Sequence, residues 1–299
     1  EVNVAQRTLT AQAQLLAVEI LHNRQRVIQL KRQTAQLSEF AQFIDDAAKR
    51  GELSSLDANQ AKVESATISA EISRFQATEG ILLNKLKSYI GLSSTRPLML
   101  TGSLPKSSLP SSMLSLSNRP EYRAKLLEIE QSEQQVALQK ANRYEDIEGR
   151  AFTSIAREED APEGFETEGE IGFGVSIPLQ FYNKNEGNIQ TAKARSTRIS
   201  SEKSALALAI QQEAAIERAE MKSWLSQSKN LSSTLIPMAA KNAEQFETAY
   251  RNGQAPFTAV LQARSQQLAL QSQNIDNLEA FHKARVRYFS AIGRAQSAL

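Results

Sequence analysis

Few side chains in this 299-residue sequence have the chemistry that catalysis or tight metal binding requires. Cysteine is absent, so disulfides, thiolate metal ligands and thiol nucleophiles are excluded. The two histidines, His22 and His282, are far apart in sequence, and each is predicted to be an ordinary helix-surface residue rather than a metal ligand. There is no Ser-His-Asp order, phosphate-binding loop or dinucleotide-binding glycine pattern. The sequence therefore predicts no enzyme activity, metal site or bound cofactor.

The charge of the chain is nearly balanced, with 35 basic and 33 acidic residues and a net charge of +2. This balance does not favour nucleic acid as a partner. Acidic residues are concentrated between Arg157 and Gly169, and this segment is predicted to be a long exposed hairpin loop. The longest strictly aliphatic stretch, Ala205 to Ile210, is far shorter than the roughly 20 residues of a membrane-spanning helix.

Only 12 Gly and 8 Pro are present, so long runs of the sequence contain neither residue. These runs predict long helices, since their Ala, Gln, Leu, Arg and Glu residues favour that structure. Pro237 is expected to kink the longest of them. The predicted helices cover residues 1–50, 58–90, 120–142, 187–250 and 258–292, and the proline-rich segment 92–120 is predicted to be a surface linker.

Two short segments instead show the period of a β-strand. In residues 170–179 every odd position is apolar, and the even positions after Glu170 are glycine, serine or proline. A weaker alternation over residues 147–156 predicts a second strand, which would pair with the first as a hairpin. The fold class predicted is therefore mainly α with a small β part.

An internal repeat relates the two ends of the chain. Gly51 and Gly91 reappear as Gly253 and Gly293, in each case 202 positions later, and several residues between them also match. We interpret this as a tandem duplication of a helix, a tip and a second helix. The same shift places a counterpart of the β-hairpin before residue 1, so we expect the sequence to begin inside a longer protein.

Three motifs resemble the signatures of the TolC-like outer-membrane efflux channels, the outer membrane factors. They are Arg119-Pro120-Glu121-Tyr122, the stretch from Ser176 to Ile189, and Ala249 to Gln254 followed by Val260-Leu261-Gln262-Ala263. The Pro178 to Ile189 part is most similar to the heavy-metal branch, which serves cobalt, zinc, cadmium or copper efflux. The order and spacing of the motifs carry the resemblance over essentially the whole chain.

The resemblance implies a homotrimer of long antiparallel helices that form a periplasmic α-barrel, with hairpin strands contributing to a shared transmembrane β-barrel. Alternation in the hairpin then implies that one row of side chains faces lipid, namely Ile171, Phe173, Val175, Ile177 and Leu179. The implied division is a first helical hairpin with its tip near residue 51, an equatorial linker, a helix of the second repeat, the transmembrane hairpin, and a second helical hairpin with its tip near 253. In the same order, these parts cover residues 1–91, 92–118, 119–143, 144–182 and 183–299.

The function that the resemblance implies is passive export of heavy-metal cations, or of small toxic compounds, through the outer membrane of a Gram-negative bacterium. Most of the mass would stand in the periplasm. The partners implied are outer-membrane lipid, a periplasmic adaptor protein, and an inner-membrane resistance-nodulation-division pump that the adaptor connects.

The helix tips are the predicted adaptor-binding sites, with small apolar residues expected to be exposed beside basic ones. The tip residues are Arg50, Gly51, Leu53, Ser54, Tyr250, Arg251, Gly253, Ala255, Pro256 and Phe257. Asp57 follows the first tip, and three copies of it would make a cation-attracting gate or selectivity ring. A solvated aspartate at a helix start explains Asp57 equally well.

Two other readings of the sequence belong to different classes of protein. A soluble antiparallel coiled-coil scaffold would show the same helical periodicity, and a periplasmic adaptor also contains helical hairpins. The adaptor fits less well, because it should have β-rich segments on both sides of one hairpin, whereas this chain has two tips and one strand pair. Extraction separates the scaffold from the channel, since a barrel protein needs detergent.

Overall fold

The computed structural model describes residues 2–111, 114–144, 146–160, 162, 164–177 and 184–294. It confirms the predicted fold class, because long helices dominate and the described strands form one two-stranded antiparallel sheet. In chain order the helices are α1 (Val2–Lys49), α2 (Ser55–Tyr89), α3 (Pro120–Ala141), α4 (Glu186–Asn230), α5 (Ile236–Arg251) and α6 (Phe257–Ala291). The strands β1 (Glu148–Asp160) and β2 (Gly164–Ser176) lie between α3 and α4, and a short 3₁₀ turn (Leu116–Asn118) precedes α3.

The chain divides into two compact units, residues 1–121 with 207–299 and residues 122–206. In the first unit α1 packs against α2, α5 packs against α6, and α1 also lies along α6. Apolar side chains spaced three and four residues apart form its core, as expected for helices that bury one face. One buried cluster joins Leu30 and Leu37 of α1 to Ile68 of α2, and another is centred on Met221 and Phe281.

The internal repeat is visible in the ends of the helices. Gly51 and Gly253 both have a positive φ, and the residue after each donates a backbone N–H back across the last helical turn, Glu52 to Ala47 at 2.9 Å and Gln254 to Ala249 at 2.8 Å. This arrangement is the Schellman motif, which glycine adopts without steric cost. The donors and acceptors are again 202 positions apart, so the duplication holds in structure as well as in sequence.

Pro237 lies just after an irregular turn in the longest helical segment. Residues Leu231–Leu235 form a π turn between α4 and α5, and the Ile236 N–H donates to the Leu231 carbonyl. Proline has no N–H to donate, so a helix has to adjust its hydrogen bonding in the turn before it. The irregularity therefore lies where the sequence predicted a kink.

The second unit contains the β-hairpin, and here the prediction of a long loop was wrong. Residues Arg157 to Gly169 do not form one exposed loop, because β1 continues to Asp160 and β2 begins at Gly164. The strand register runs without interruption from Glu148↔Ser176 to Asp160↔Gly164. The acidic composition suggested a loop, but residues on one face of an exposed hairpin can be charged without interrupting the strand ladder.

Candidate functional site

The two helix tips form one continuous end of the first unit. Phe40, Ile44, Ala58 and Ala61 of the first hairpin share a buried cluster with Tyr250, Phe257 and Val260 of the second. The Phe40 ring meets Tyr250 edge-on, with ring centroids 5.7 Å apart, and lies 6.1 Å from the Phe257 ring. Such edge-to-face and tilted contacts are favourable for aromatic side chains. The tips therefore present a joint surface rather than two independent loops.

Two of the predicted tip residues do not belong to that surface. Phe257, which was predicted to be exposed, has 2% of its surface accessible, and Tyr250 is also buried. Both aromatic rings pack against the other hairpin, a neighbour that periodicity within one helix does not reveal. The predicted exposure of Phe257 was therefore wrong, and the two residues hold the tips together.

The other predicted tip residues remain accessible. Gly51, Ser54, Gly253 and Pro256 are exposed, and Leu53 and Ala255 are half-buried. Ser54 caps α2, since its side chain accepts a hydrogen bond from the Leu56 N–H. Leu56 itself was missed by the sequence reasoning, although it is 70% exposed and is the largest apolar side chain at the tip surface. Leu56 lies in the first turn of α2 and not on the face that carries Ala58 and Ala61. This position was the signal that could have predicted its exposure.

The basic residues of the tip are held by specific partners. The Arg50 guanidinium pairs with Glu52 at 2.8 Å. Arg251 pairs with Glu247 at 2.9 Å, and its guanidinium carbon lies 4.2 Å from the centroid of the Phe43 ring. A cation in that place is attracted to the ring face. Arg251 therefore joins the second tip to α1.

Asp57 is half-buried and linked to the second tip. The Tyr250 hydroxyl donates a hydrogen bond of 2.9 Å to the Asp57 carboxylate. Burial, with this hydrogen bond and the nearby carboxylate charge, raises the pKa of Tyr250 above its usual value. The phenol therefore stays protonated and keeps donating at neutral pH. Within one protomer Asp57 joins the two hairpins, and its place in a gate ring stays a prediction.

The hairpin of the second unit has two chemically different faces. Ile171, Phe173 and Val175 are exposed and share one face with their register partners, the small residues Thr153, Ala151 and Gly149. Ile177 is also exposed and follows directly after β2. The predicted lipid-facing residue Leu179 lies outside the described residues, as does the 178–183 part of the metal-branch motif.

Gly172 lies on the opposite face of the hairpin, beneath an aromatic ring. Its register partner is Phe152, and a Cβ built on Gly172 would lie 2.3 Å from the Phe152 ring. No larger residue fits at position 172 while the ring stays there, which explains the glycine in physical terms.

The burial of the two histidines differs most from what the sequence predicted. His22 of α1 and His282 of α6 are both buried, and their ring centroids are 5.4 Å apart. The helix-surface prediction was wrong, because the antiparallel packing of α1 on α6 brings together residues that are distant in sequence. Burial lowers the pKa of each imidazole to about 4, so both are neutral at pH 7. Among the described residues, no group of three or more His, Asp or Glu side chains is placed to hold a metal ion.

Within the part of the chain that the structure describes, every helix is too short or too polar to cross a bilayer.

No protein-family model and no curated protein sequence matches the chain. Solved structures do match it. VceC, an outer membrane protein of Vibrio cholerae, superposes with a TM-score of 0.71 at 16% identity, over 98% of this chain and 71% of VceC.

Two further structures show the same likeness. CusC, whose structures concern folding and transmembrane channel formation, superposes with a TM-score of 0.77 at 15% identity, over 98% of this chain and 70% of CusC. The outer membrane channel MtrE of Neisseria gonorrhoeae, in its open state, gives a TM-score of 0.68 at 15% identity, over 98% of this chain and 67% of MtrE. The chain thus has the fold of outer-membrane channel proteins, and the resemblance to TolC-like channels is confirmed at the level of the fold.

Proposed function

We propose that this chain is the outer-membrane channel component of a tripartite efflux system. The observation that carries the proposal is the likeness of 98% of the chain to outer-membrane channels, with the β-hairpin included. Fold alone does not fix function, so the features of individual surfaces have to support it. The competing scaffold reading gives no reason for a hairpin with one exposed apolar face.

The hairpin supports insertion into the outer membrane. Ile171, Phe173 and Val175 would face lipid, while Gly172 and Gly174 would face the lumen. Transmembrane barrels require this alternation, and closure of the barrel satisfies backbone groups that lipid cannot. Three copies of the chain would build the barrel together and place most of the helical mass in the periplasm.

The joint tip surface supports docking of a periplasmic adaptor. Leu56 of the first tip and Pro256 of the second supply its exposed apolar centre, and Arg50 adds a charged rim. An apolar centre with a polar rim is the usual anatomy of a protein interface. Tyr250 and Phe257 would act indirectly, by holding the two tips in one arrangement.

The channel itself would be passive, and its energy would come from an inner-membrane resistance-nodulation-division pump through the adaptor. Metal cations are the proposed cargo, with small organic toxins as the alternative. The metal cargo is supported by the Pro178 to Ile189 motif alone, because a wide water-filled tube has no need to coordinate what passes through it.

Deletion of the gene tests the cargo. The deletion strain is challenged with cobalt, zinc, cadmium and copper salts, and in parallel with dyes and detergents. We expect loss of tolerance to at least one metal and its return on complementation. Unchanged metal tolerance in a strain that expresses the partner pump would refute the metal cargo, and sensitivity to dyes alone would favour organic compounds.

A pair of matched variants tests the docking surface. Leu56→Glu places a charge at the centre of the proposed contact, where burial of a carboxylate is costly. Ile28→Glu makes the same change at an exposed position of α1 some 22 residues before the tip, about 33 Å along the helix. We expect Leu56→Glu to abolish chemical cross-linking to the adaptor and Ile28→Glu to leave it unchanged. Equal cross-linking in the two variants would show that the adaptor binds elsewhere.

A further inference from the structure

The buried histidine pair between α1 and α6 has ring nitrogens without hydrogen-bond partners. Both nitrogens of His22 and Nδ1 of His282 have no partner among the described residues. The fourth nitrogen, Nε2 of His282, lies 3.5 Å from the Ser107 hydroxyl, at the limit of a hydrogen bond. His22 is 0% exposed and His282 is 3% exposed, so bulk solvent does not reach these atoms. Buried polar atoms without partners are costly and uncommon, so this pair requires a specific explanation.

The geometry of the two rings suits a shared cation. Their centroids are 5.4 Å apart and their planes are inclined by 40°, so the rings do not stack face to face. An imidazole nitrogen binds a metal at about 2 Å and lies about 1 Å from its ring centre, so two rings that share one cation have centres about 5 to 6 Å apart. Burial lowers the pKa of both imidazoles to about 4, so at pH 7 each ring is neutral and has a free lone pair.

The number of ligands limits the kind of cation. Structural zinc sites have four protein ligands and catalytic ones have three. Among the described residues, no third His, Asp or Glu side chain is placed to complete a site with this pair. Monovalent copper accepts two nitrogen ligands, and imidazole is a suitable ligand for copper. Two neutral imidazoles therefore favour Cu(I) over zinc.

The charged side chains around the pair also favour a monovalent ion. Glu279 pairs with Arg26 at 2.7 Å and with Lys283 at 2.8 Å. Three acidic and three basic residues lie in these ion pairs or near the two rings, and their formal charges cancel. They are Glu19, Asp276, Glu279, Arg26, Lys283 and Arg285. Because the surroundings supply no net negative charge, burial of one positive charge costs less than burial of two.

We propose that a monovalent copper ion binds between His22 and His282 and links α1 to α6. One nitrogen of each ring ligates the ion, which gives the buried nitrogens a partner. The site lies within the first unit, and the proposal depends neither on the channel function nor on its cargo. Copper that binds only the folded chain would stabilise the contact between the two helical hairpins.

The linker before α3 offers a route to the site. Ser107 belongs to residues 97–111, which form no helix or strand. A segment without regular backbone hydrogen bonding opens locally at lower cost than a helix does. Copper can therefore reach the pair without unfolding of α1 or α6.

Competition with a coloured chelator tests the binding. The purified full-length protein in detergent is titrated with Cu(I) in anaerobic ascorbate, with bicinchoninate reporting the copper that the protein does not hold. We expect one Cu(I) per chain and, in His22→Leu/His282→Leu, binding weaker by roughly a hundredfold or more, because both ligands are lost. The sequence has no other histidine and no cysteine, so this variant has no imidazole or thiolate ligand left.

Gln33→Leu is the matched control for a disturbed contact between α1 and α6. Gln33 is also buried in α1, and its side chain donates a hydrogen bond of 2.6 Å to Gln271 of α6. This variant should keep the copper affinity of the parent, and circular dichroism checks that all three proteins are equally helical. Equal copper binding by the parent and the histidine variant would overturn the proposal. An equal loss of binding in Gln33→Leu and the histidine variant would also overturn it.

X-ray absorption at the copper edge identifies the ligands. We expect two nitrogen neighbours at about 2 Å. Sulfur neighbours would assign the copper to methionine and contradict the histidine site. Zinc bound as tightly as Cu(I) and lost in the histidine variant would contradict the monovalent assignment. A failure of the copper site leaves the proposed channel standing, because none of these measurements depends on membrane insertion or efflux.

Discussion

Lowering the pH from 7 to 5 is expected to weaken the first unit through its buried histidine pair. Burial is the largest cause that lowers the pKa of His22 and His282 to about 4. For His22 the charge of Glu279 opposes this effect, while Arg26 and Lys283 add to it. For His282 the charges of His22 and Arg285 act in the same direction as burial. Each imidazole therefore resists protonation in the folded state.

The sign and size of the effect follow from proton linkage. An unfolded histidine has a pKa of about 6.5, so between pH 6.5 and 4 the unfolded chain binds more protons than the folded one. Stability then falls with falling pH by about 1.4 kcal/mol per pH unit for each histidine. From pH 6.5 to 5 the loss is about 2 kcal/mol for each imidazole and about 4 kcal/mol for the pair. Above pH 6.5 the pair contributes no pH dependence, and below pH 4 its effect no longer grows.

Urea unfolding followed by helical circular dichroism measures this loss in the full-length protein at pH 7 and pH 5. Protomer concentration is held constant, because association shifts apparent stability. The variant His22→Leu/His282→Leu has the same carboxylates as the parent. Between the two pH values its free energy of unfolding should fall by about 4 kcal/mol less than that of the parent. An equal loss in parent and variant would show that the acid sensitivity comes from other groups and not from the histidine pair.

Three further predictions concern the hairpin and the tips. Val175→Arg should cost roughly 2 to 4 kcal/mol of barrel stability near mid-bilayer and Ser176→Arg much less, as measured by unfolding in lipid vesicles; equal costs would reject the assignment of faces. Tyr250→Phe removes the donor to Asp57 and should lower the free energy of unfolding by about 1 to 2 kcal/mol, whereas no change would show that the bond is not a tether. Gly253→Val forces a β-branched residue to a φ of +69° and should reduce efflux-dependent tolerance while copies still associate, so full tolerance would contradict a role of tip geometry in docking.

Local sequence signals predicted the helices and the duplication well. The helix ends depend on glycine caps and breaker residues, which act over a few positions and are readable in a single sequence. Gly51 and Gly253 both end helices with a positive φ, and their spacing of 202 residues was readable in the sequence. The strand alternation at Ile171 to Ser176 was readable for the same reason, because period 2 is a local property.

Contacts between helices that are distant in sequence could not be predicted from these local signals. The burial of Phe257 and the pairing of His22 with His282 depend on which helices are neighbours, and neither helix contains that information alone. The extension of β1 to Asp160 was missed because acidic residues were taken as a sign of a loop. In an exposed hairpin the strand ladder continues through charged positions, so composition there is a poor guide to secondary structure.

Membrane fractionation of the full-length protein from its host tests the channel proposal most directly. Inner and outer membranes are separated on a density gradient, and the outer-membrane fraction is washed with alkaline carbonate before extraction. We expect the protein to stay with the outer membrane through the wash and to leave it only in detergent. Recovery of the protein in aqueous buffer, without detergent, would contradict the barrel and with it the proposed channel.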